Sequence, residues 1–534
     1  MTSTAIISFL FFTILVFFIS WYKIRKDKQQ TAEDHFLSGR RLGFIMTGGA
    51  LFLSNISSNQ FIGENELVYK NNMSVMAWGL TSVVAMLIVS EFFMPVYHRI
   101  GAVTTVDFLE KRYDKATKTL VSVVILISYM VNLLPPVLYG GSVAFNGIFH
   151  LSDLLHLDYW KTIWLIAATI GTIGAIYCIR GGLKVIAISD TVLSVGMLII
   201  GIVLPYFGLK YLGKGSIHNG IGIILHSHQE HLNAIGTSRD AIPFSTIFTG
   251  MLLINLHYWG TEQFIVQQSL ASKSLADSQK GIALTCMGKI ISPLFLNIPG
   301  LIAVHLYASM PNTAEVFPRL ARDILPPLFS GLIAAVVFGA ALSTFNAGLN
   351  SISTIFIMNL YKPARQARNK PVGEKQLLQT ARIFQIIVTL IAITIAPFIA
   401  FAKDGFYTYL QKVAGLFSLP VFTILIVGFA TRKVPPIAAR AGLLFFIFTY
   451  SLSQFVFTIH LHFLHLLAIL FILTTLFMLL IGKLYPMETP YKKEYNPAVN
   501  LEPWKQRYIY GGILIACVVA LYILFSPLVL ARVF

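Results

Sequence analysis

The chain is 534 residues long, 56% hydrophobic and only 12% charged, with a mean hydropathy of +0.73. Soluble domains carry about 25% charged residues, so this composition excludes a soluble enzyme or binding module and indicates a polytopic membrane protein. The net charge of +17 is a topology signal and not a mark of nucleic-acid binding, because about 29 of the 40 Lys and Arg fall in alternate loops and about 8 in the opposite set.

Apolar runs of about 20 residues predict about fourteen transmembrane helices, at residues 4–22, 43–69, 73–97, 118–147, 161–179, 184–208, 243–268, 281–307, 328–360, 378–399, 405–430, 435–458, 462–482 and 508–529. The first run follows MTSTA, with no basic segment before it and no small-residue cleavage site, so it is expected to be a retained anchor. The loops richest in Lys and Arg are 23–41, 99–118, 362–382 and 483–507. Placing them in the cytoplasm puts both termini outside a plasma (cytoplasmic) membrane.

The second span contains the first chemistry. Leu53–Asn65 (LSNISSNQFIGEN) puts Ser54, Asn55, Ser57, Ser58, Asn59 and Gln60 into seven consecutive positions. Successive helical residues turn by about 100°, so one face cannot hold all six. Local unwinding resolves this and exposes backbone carbonyls around Leu53 and Ile56, hard oxygen donors suited to a small cation. A Ser/Asn-rich contact between helices is the other reading of the same run.

The sixth span has Asp190 just after RGGLKVIAIS. Its carboxylate serves either as an inner relay for a cation or as an ion-pair partner of Lys184 or Arg180. The following outside segment, Leu209–Ile242, predicts a short amphipathic helix around Ile221–Leu232. His226, His228, Glu230 and His231 read there as a solvated face and not as a metal site. Cys178, Cys286 and Cys517 all fall within spans and are expected to be core residues.

The seventh span is interrupted like the second, by Asn255, His257, Tyr258, Gly260, Thr261, Glu262 and Gln263. The tetrads Asn59-Gln60-Phe61-Ile62 and Glu262-Gln263-Phe264-Ile265 occupy similar places in spans of opposite direction. Spans 2–6 and 7–11 then form inverted five-helix repeats, with a site at their interface near mid-membrane. In the eighth span Lys289 costs about 2.5–3.5 kcal/mol on insertion scales, so it requires a polar cavity, a partner or a solute. Glu64, Glu66 and Glu262 lie beside the two breaks.

The ninth span carries a second polar run, Ala340–Ser351 (AALSTFNAGLNS), with adjacent hydroxyls at Ser343 and Thr344. Gly339, Ala340 and Ala341 just before them allow close backbone approach. Two hydroxyls with carbonyls from both spans make a neutral cage of about five oxygens, which fits sodium better than calcium or magnesium.

Four motifs carry a family resemblance: NISSNQFIG in the second span, YCIRGGLK before Asp190, NLHYWGTEQFIVQQSLASKSLADSQKG in the seventh span and its loop, and ALSTFNAGLNSISTIFIMNLY in the ninth. On these, residues 30–430 resemble the sodium/solute symporters, and within them the sugar-type branch related to sodium/glucose cotransporters. The resemblance implies an all-α, leucine-transporter-like fold with an inverted five-helix repeat. It divides the chain into an N-terminal anchor and inner loop at 1–30, a transporter core at 31–430 and peripheral helices at 431–534. It implies a co-transported sodium ion held by the carbonyls of Leu53, Ile56 and Ala340 and the hydroxyls of Ser343 and Thr344, with Asp190 on the sodium exit path. Asn346 and Ala347 stand where some relatives place serines for a second sodium, so one sodium per cycle is expected.

The same resemblance implies solute contacts at Gln60, Asn255, Lys289 and Gln411. It assigns gates to Tyr258, Glu64, Trp78 and Tyr407, and coupling to Asn55. One departure stands out. Sugar-type relatives have a Glu beside an aromatic residue in the third span, and this chain reads Trp78-Gly79. Either Glu64 replaces that acceptor, or the solute is not a simple hexose. The expected function is sodium-coupled import of a small polar solute, a sugar or sugar derivative, by alternating access across the lipid bilayer. Import of an organic anion, a monocarboxylate or sugar acid, is the alternative that Lys289 suits. A transporter-fold sensor or channel is a third. No nucleophile–base pair suggests an enzyme, and no nucleic-acid partner is expected.

Overall fold

The computed structural model describes residues 3–24, 32–370, 372–401, 406–457, 459, 461–492 and 501–531. Among them all extended regular structure is helical, and one isolated bridge joins Leu42 to Ser272. In hydrocarbon a backbone must satisfy its own hydrogen bonds, and long apolar segments do so as helices. Eleven described helices are long and apolar enough to cross a membrane. They become twelve if Leu275–Ile291 and Pro293–Leu306, bent by 42°, form one span.

That differs from the fourteen expected spans, and the difference has a physical cause. Runs 43–69 and 243–268 are each split into two short helices. The first gives Phe44–Asn55 and Ser58–Lys70, the second Gly250–Thr261 and Gln263–Leu270. The polar residues that interrupt the hydrophobic pattern also interrupt the helix.

The two broken spans pack reciprocally. Phe44–Asn55 lies along Leu275–Ile291, which follows the second broken span; Gly250–Thr261 lies along Ala77–Ile100, which follows the first. Leu275–Ile291 and Ala77–Ile100 also pack on each other, closing a four-helix group. Backbones touch where Gly48 meets Gly281: a Cβ on Gly48 would sit 2.9 Å from Gly281 O, and one on Gly281 3.2 Å from Gly48 N. Small residues permit such approach where no water drives helices together. The long helix Pro327–Ile355 packs against Phe44–Asn55, Gln263–Leu270 and the run Tyr159–Leu212.

Tyr159–Leu212 covers the fifth and sixth spans without a loop. It reverses at Gly182, whose φ of 56° and ψ of −162° belong to a region open essentially to glycine. Helices Pro436–Ser451 and Phe463–Leu484 pack on Phe406–Ala430, and Ser3–Ile24 packs on Pro327–Ile355. The outer amphipathic helix starts earlier than expected, at Ile217–His226, and a 3-10 turn at Gln229–Leu232 follows.

Candidate functional site

Between Phe44–Asn55 and Ser58–Lys70 the chain is non-helical at Ile56 (φ −87°, ψ 87°) and Ser57 (φ −85°, ψ 167°). Ser57 N–H donates to Asn55 O at 3.1 Å and not to Leu53 O; Gln60 N–H donates to Ser57 O at 3.1 Å and not to Ile56 O. The carbonyls of Leu53 and Ile56 therefore lose the donors a helix would give them. Opposite them, Thr344 Oγ1 donates to Ser54 O at 3.1 Å, and Ser343 Oγ lies 3.3 Å from Ser54 Oγ. Ala340 stands one turn earlier on the same unbroken helix. The structure thus brings both halves of the expected cage into contact.

Ser54 is the hub, which sequence reading missed. Its hydroxyl donates to Asp190 Oδ2 at 3.0 Å and accepts from Gln268 Nε2 at 2.7 Å, so the second broken span is tied to the first break. Asp190 is fully buried, and its partners are serine hydroxyls. It stands beside the cage itself, with Oδ1 unpartnered among the described residues.

A cavity of about 180 Å³ lies between the two breaks, lined by Asn55, Asn59, Gln60, Trp78, Asn255, Tyr258, Glu262 and Gln411 among others. Five buried polar atoms around it have no partner among the described residues: Asn55 Oδ1, Asn59 Oδ1, Gln60 Oε1, Asn132 Oδ1 and Ser418 Oγ. Buried polar groups are normally bonded, so such a cluster around a cavity marks a place for a polar ligand. Asn255 is oriented by two bonds, accepting from Ser82 Oγ at 2.6 Å and donating to Met251 O at 3.0 Å. Tyr258 meets the Asn55 side chain, and its ring packs edge-on against Phe264 at 5.7 Å. Asn55 therefore sits between Ser54, which bonds Ser343 and Thr344, and the cavity residue Tyr258.

Asn132 and Tyr129 enter from a π-helical turn, Tyr129–Leu133. Its signal in the sequence is Pro135-Pro136: neither has an N–H, so the carbonyls one turn earlier lose their donors and the helix widens. Trp78 and Gln411 also line an outer cavity of about 460 Å³, with Ala241, Lys412 and His462. Tyr129, His257, Glu262 and Ser418 are shared with a smaller cavity of about 40 Å³ that continues to Gln263 and Phe417. Three chambers thus lie in series, separated by two side-chain partitions. Tyr407 is on helix Phe406–Ala430, but its side chain lies outside the described residues.

Two expected site residues stand apart. Lys289 and Glu64 are fully buried and near enough for each to feel the other's charge without a direct ion pair, and Asn297 Nδ2 donates to Glu64 Oε2 at 3.3 Å. Neither lines the central cavity, so Lys289 is not brought together with Gln60, Asn255 and Gln411. Glu64 likewise is not part of the Trp78–Gln411 partition. The third-span position also has its reason. A Cβ on Gly79 would meet Ser292 Oγ at 3.2 Å, at the bend after Leu275–Ile291. Any side chain there would require the Ser292 hydroxyl to give by a few tenths of an ångström. Among the described residues Glu262 is the one carboxylate lining the central cavity, and no Lys or Arg lines it.

Elsewhere, His228, Glu230 and His231 come together near the outer surface. Cys178 and Cys286 are buried as expected, whereas Cys517 is exposed, because Arg507–Leu524 packs along the bundle by only a narrow face.

A membrane bundle in which two discontinuous helices meet around a polar cavity is the architecture of a secondary transporter. Residues 35–445 match the model of the sodium:solute symporter family. The chain is 39% identical over 519 residues to an uncharacterized symporter, YidK, of Escherichia coli (strain K12), covering 97% of this chain and 90% of that one. It is 27% identical over 442 residues to a sodium/glucose cotransporter of Vibrio parahaemolyticus, covering 78% of each. Among solved structures, a Na+-coupled sialic acid symporter in a substrate-bound outward-open state superposes with a TM-score of 0.73 at 17% identity, over 92% of this chain and 99% of that one. The chain belongs to the sodium:solute symporter family. It is a transporter and not an enzyme, and sodium is its co-transported ion.

Proposed function

We propose that the protein imports a small neutral polar solute, a sugar or sugar derivative, together with sodium, across a plasma membrane that leaves both termini outside. The observation that carries this reading is the set of five unpartnered polar atoms around the central cavity. A sugar hydroxyl both donates and accepts, so it satisfies amide oxygens and a serine hydroxyl alike. The volume lies below the roughly 300–1,000 Å³ of drug-sized pockets, which suits a small solute. An organic anion would find no Lys or Arg in the cavity lining, and Lys289 already feels the charge of Glu64.

In this reading Gln60, Asn255 and Gln411 contact the solute directly, and Lys289 reaches it only by moving away from Glu64. Glu262 supplies the carboxylate that Gly79 lacks. Sodium occupies the cage of Leu53, Ile56, Ala340, Ser343 and Thr344, with Asp190 beside it to receive the ion on its way inward. Binding draws Thr344 Oγ1 from Ser54 O, and Asn55 passes the change to Tyr258. Trp78, with Tyr407, forms the outer gate and Tyr258 the inner lid. Sodium and solute must favour the same states for transport to be coupled, and the coupling is reciprocal. The reciprocal packing of the broken spans supports an inverted five-helix repeat within a core at 31–430, with an anchor segment at 1–30 and peripheral helices at 431–534.

A thermal-shift screen of the purified full chain against neutral sugars and sugar acids, in sodium and in choline, tests the proposal. A neutral sugar should raise the melting temperature in sodium and not in choline. Stabilisation by sugar acids alone, or shifts indifferent to sodium, would contradict it.

A further inference from the structure

His257 and Glu262 are five residues apart, which in an unbroken helix sets two side chains about 140° apart. The break at Glu262 (φ −65°, ψ 118°) instead brings His257 Nε2 to 3.3 Å from Glu262 Oε2. At the other edge of the ring, Nδ1 lies 2.5 Å from Thr261 Oγ1, and the same hydroxyl lies 2.8 Å from His257 O. A hydroxyl has one proton, and a carbonyl can only accept. Thr261 therefore donates to His257 O, and Nδ1–H donates to Thr261 Oγ1. Nε2 of a neutral ring would then turn a lone pair toward a carboxylate oxygen. The contact becomes a hydrogen bond only when one more proton is present, on Nε2 or on the carboxyl group. Tyr129 does not supply it: its hydroxyl accepts from Phe264 N–H at 3.2 Å and bonds to Glu262 in its own right.

We infer that His257 and Glu262 together bind a proton, at a site separate from the sodium cage, and that the bound proton holds the second break against Tyr129. The pair lines both the central and the inner cavity, so it forms part of the partition between them. Among the described residues facing it, the titratable groups are Tyr129 from the fourth span and Tyr258 from its own helix. Phe406–Ala430 presents Ala414 and Ser418, Ala77–Ile100 presents Trp78 and Ser82, and the first break presents Asn55 and Asn59, none of them ionisable. Asp190, Glu64 and Lys289 lie outside the cavity lining. Loss of the proton sets the imidazole lone pair against the carboxylate, removes one of the two side-chain ties on Glu262 and loosens the inner partition. This goes beyond sodium-coupled import and depends on it only for the meaning of an inner gate.

The test uses the full chain with Cys517→Ser and Ala414→Cys, so that the reporter thiol lies at the partition. Its rate of modification by a cationic methanethiosulfonate is followed between about pH 5 and pH 8, the range in which imidazole groups titrate. Thiolate formation is corrected with the rate of the same reagent on free cysteine over the same pH range. The corrected rate should rise with pH in one step, by at least about fivefold, the lower end of usual coupling factors. His257→Gln and Glu262→Gln should each abolish the step. Thr261→Val, which frees Nδ1 from its donor role and lets a neutral ring donate from Nε2, should keep the tie without the extra proton and hold the rate low across the range. A flat parent profile, a step that survives either Gln variant, or a step retained in Thr261→Val would overturn the inference. The measurement needs neither sodium nor solute, so it stands or falls separately from the transport reading.

Discussion

The two breaks hold matching places in the chain and have opposite chemistry. At the first, Ile56 and Ser57 leave the helix, and the carbonyls of Leu53 and Ile56 are freed. At the second, only Glu262 leaves it, and the backbone is nearly satisfied. Glu262 N–H donates to His257 O at 3.1 Å, Glu262 O accepts from Ile265 and Val266, and Gly260 O accepts from Tyr97 OH at 2.8 Å. The first break offers backbone oxygen and the second offers ionisable side chains. Two gaps of similar outline thus differ in the chemistry they offer a ligand.

The largest expected effect concerns the charges that belong to neither break. Lys289→Ala empties the space of a long, fully buried side chain and removes the cation nearest Glu64, which costs about 2–5 kcal/mol. Its melting temperature should fall sharply, and Glu64→Gln combined with Lys289→Met should recover most of the loss. If Lys289→Ala melts like the parent and loses only solute binding, Lys289 belongs to the cavity and the division between structural and site charges fails.

Asn55 sharpens the comparison, because it is where the two breaks meet. Asn55→Ala should leave sodium binding and solute binding each measurable while lowering their mutual enhancement by about 1–3 kcal/mol, the usual range of coupling free energies. Titrating solute at low and high sodium reads this directly, and undiminished enhancement would move coupling elsewhere. The smallest effect is expected at Ser82. Ser82→Ala removes the 2.6 Å bond that orients Asn255 and should weaken solute binding by about 1 kcal/mol without altering sodium affinity. Equal loss of both would mean that the two sites are not separable in this way.

The parts of this arrangement that were legible in the sequence are those that violate a local pattern. Ser54 to Gln60 cannot fit one face of a membrane helix, so the first break shows as composition. Ser343 and Thr344 show because hydroxyl pairs stand out in an apolar run. The parts that were not legible depend on partners distant in the chain. Glu64 and Lys289 read as two separate charges until folding brings them near each other. Gly79 reads as a missing acceptor until the Ser292 hydroxyl is seen beside it. His257 and Glu262 share no helical face and meet only because the helix stops between them. The fourteen apolar runs exceed the eleven or twelve long helices for the same reason, since hydropathy measures how apolar a run is and not whether its helix is continuous.

The central claim is that the first break and not the second holds sodium. Equilibrium binding of radioactive sodium to the purified protein, compared between Thr344→Ala and Glu262→Gln, tests it most directly. Thr344→Ala should weaken sodium binding by about tenfold or more, as loss of a ligand to a charged group does, while Glu262→Gln should leave it nearly unchanged. Sodium binding that survives Thr344→Ala and is lost in Glu262→Gln would contradict it.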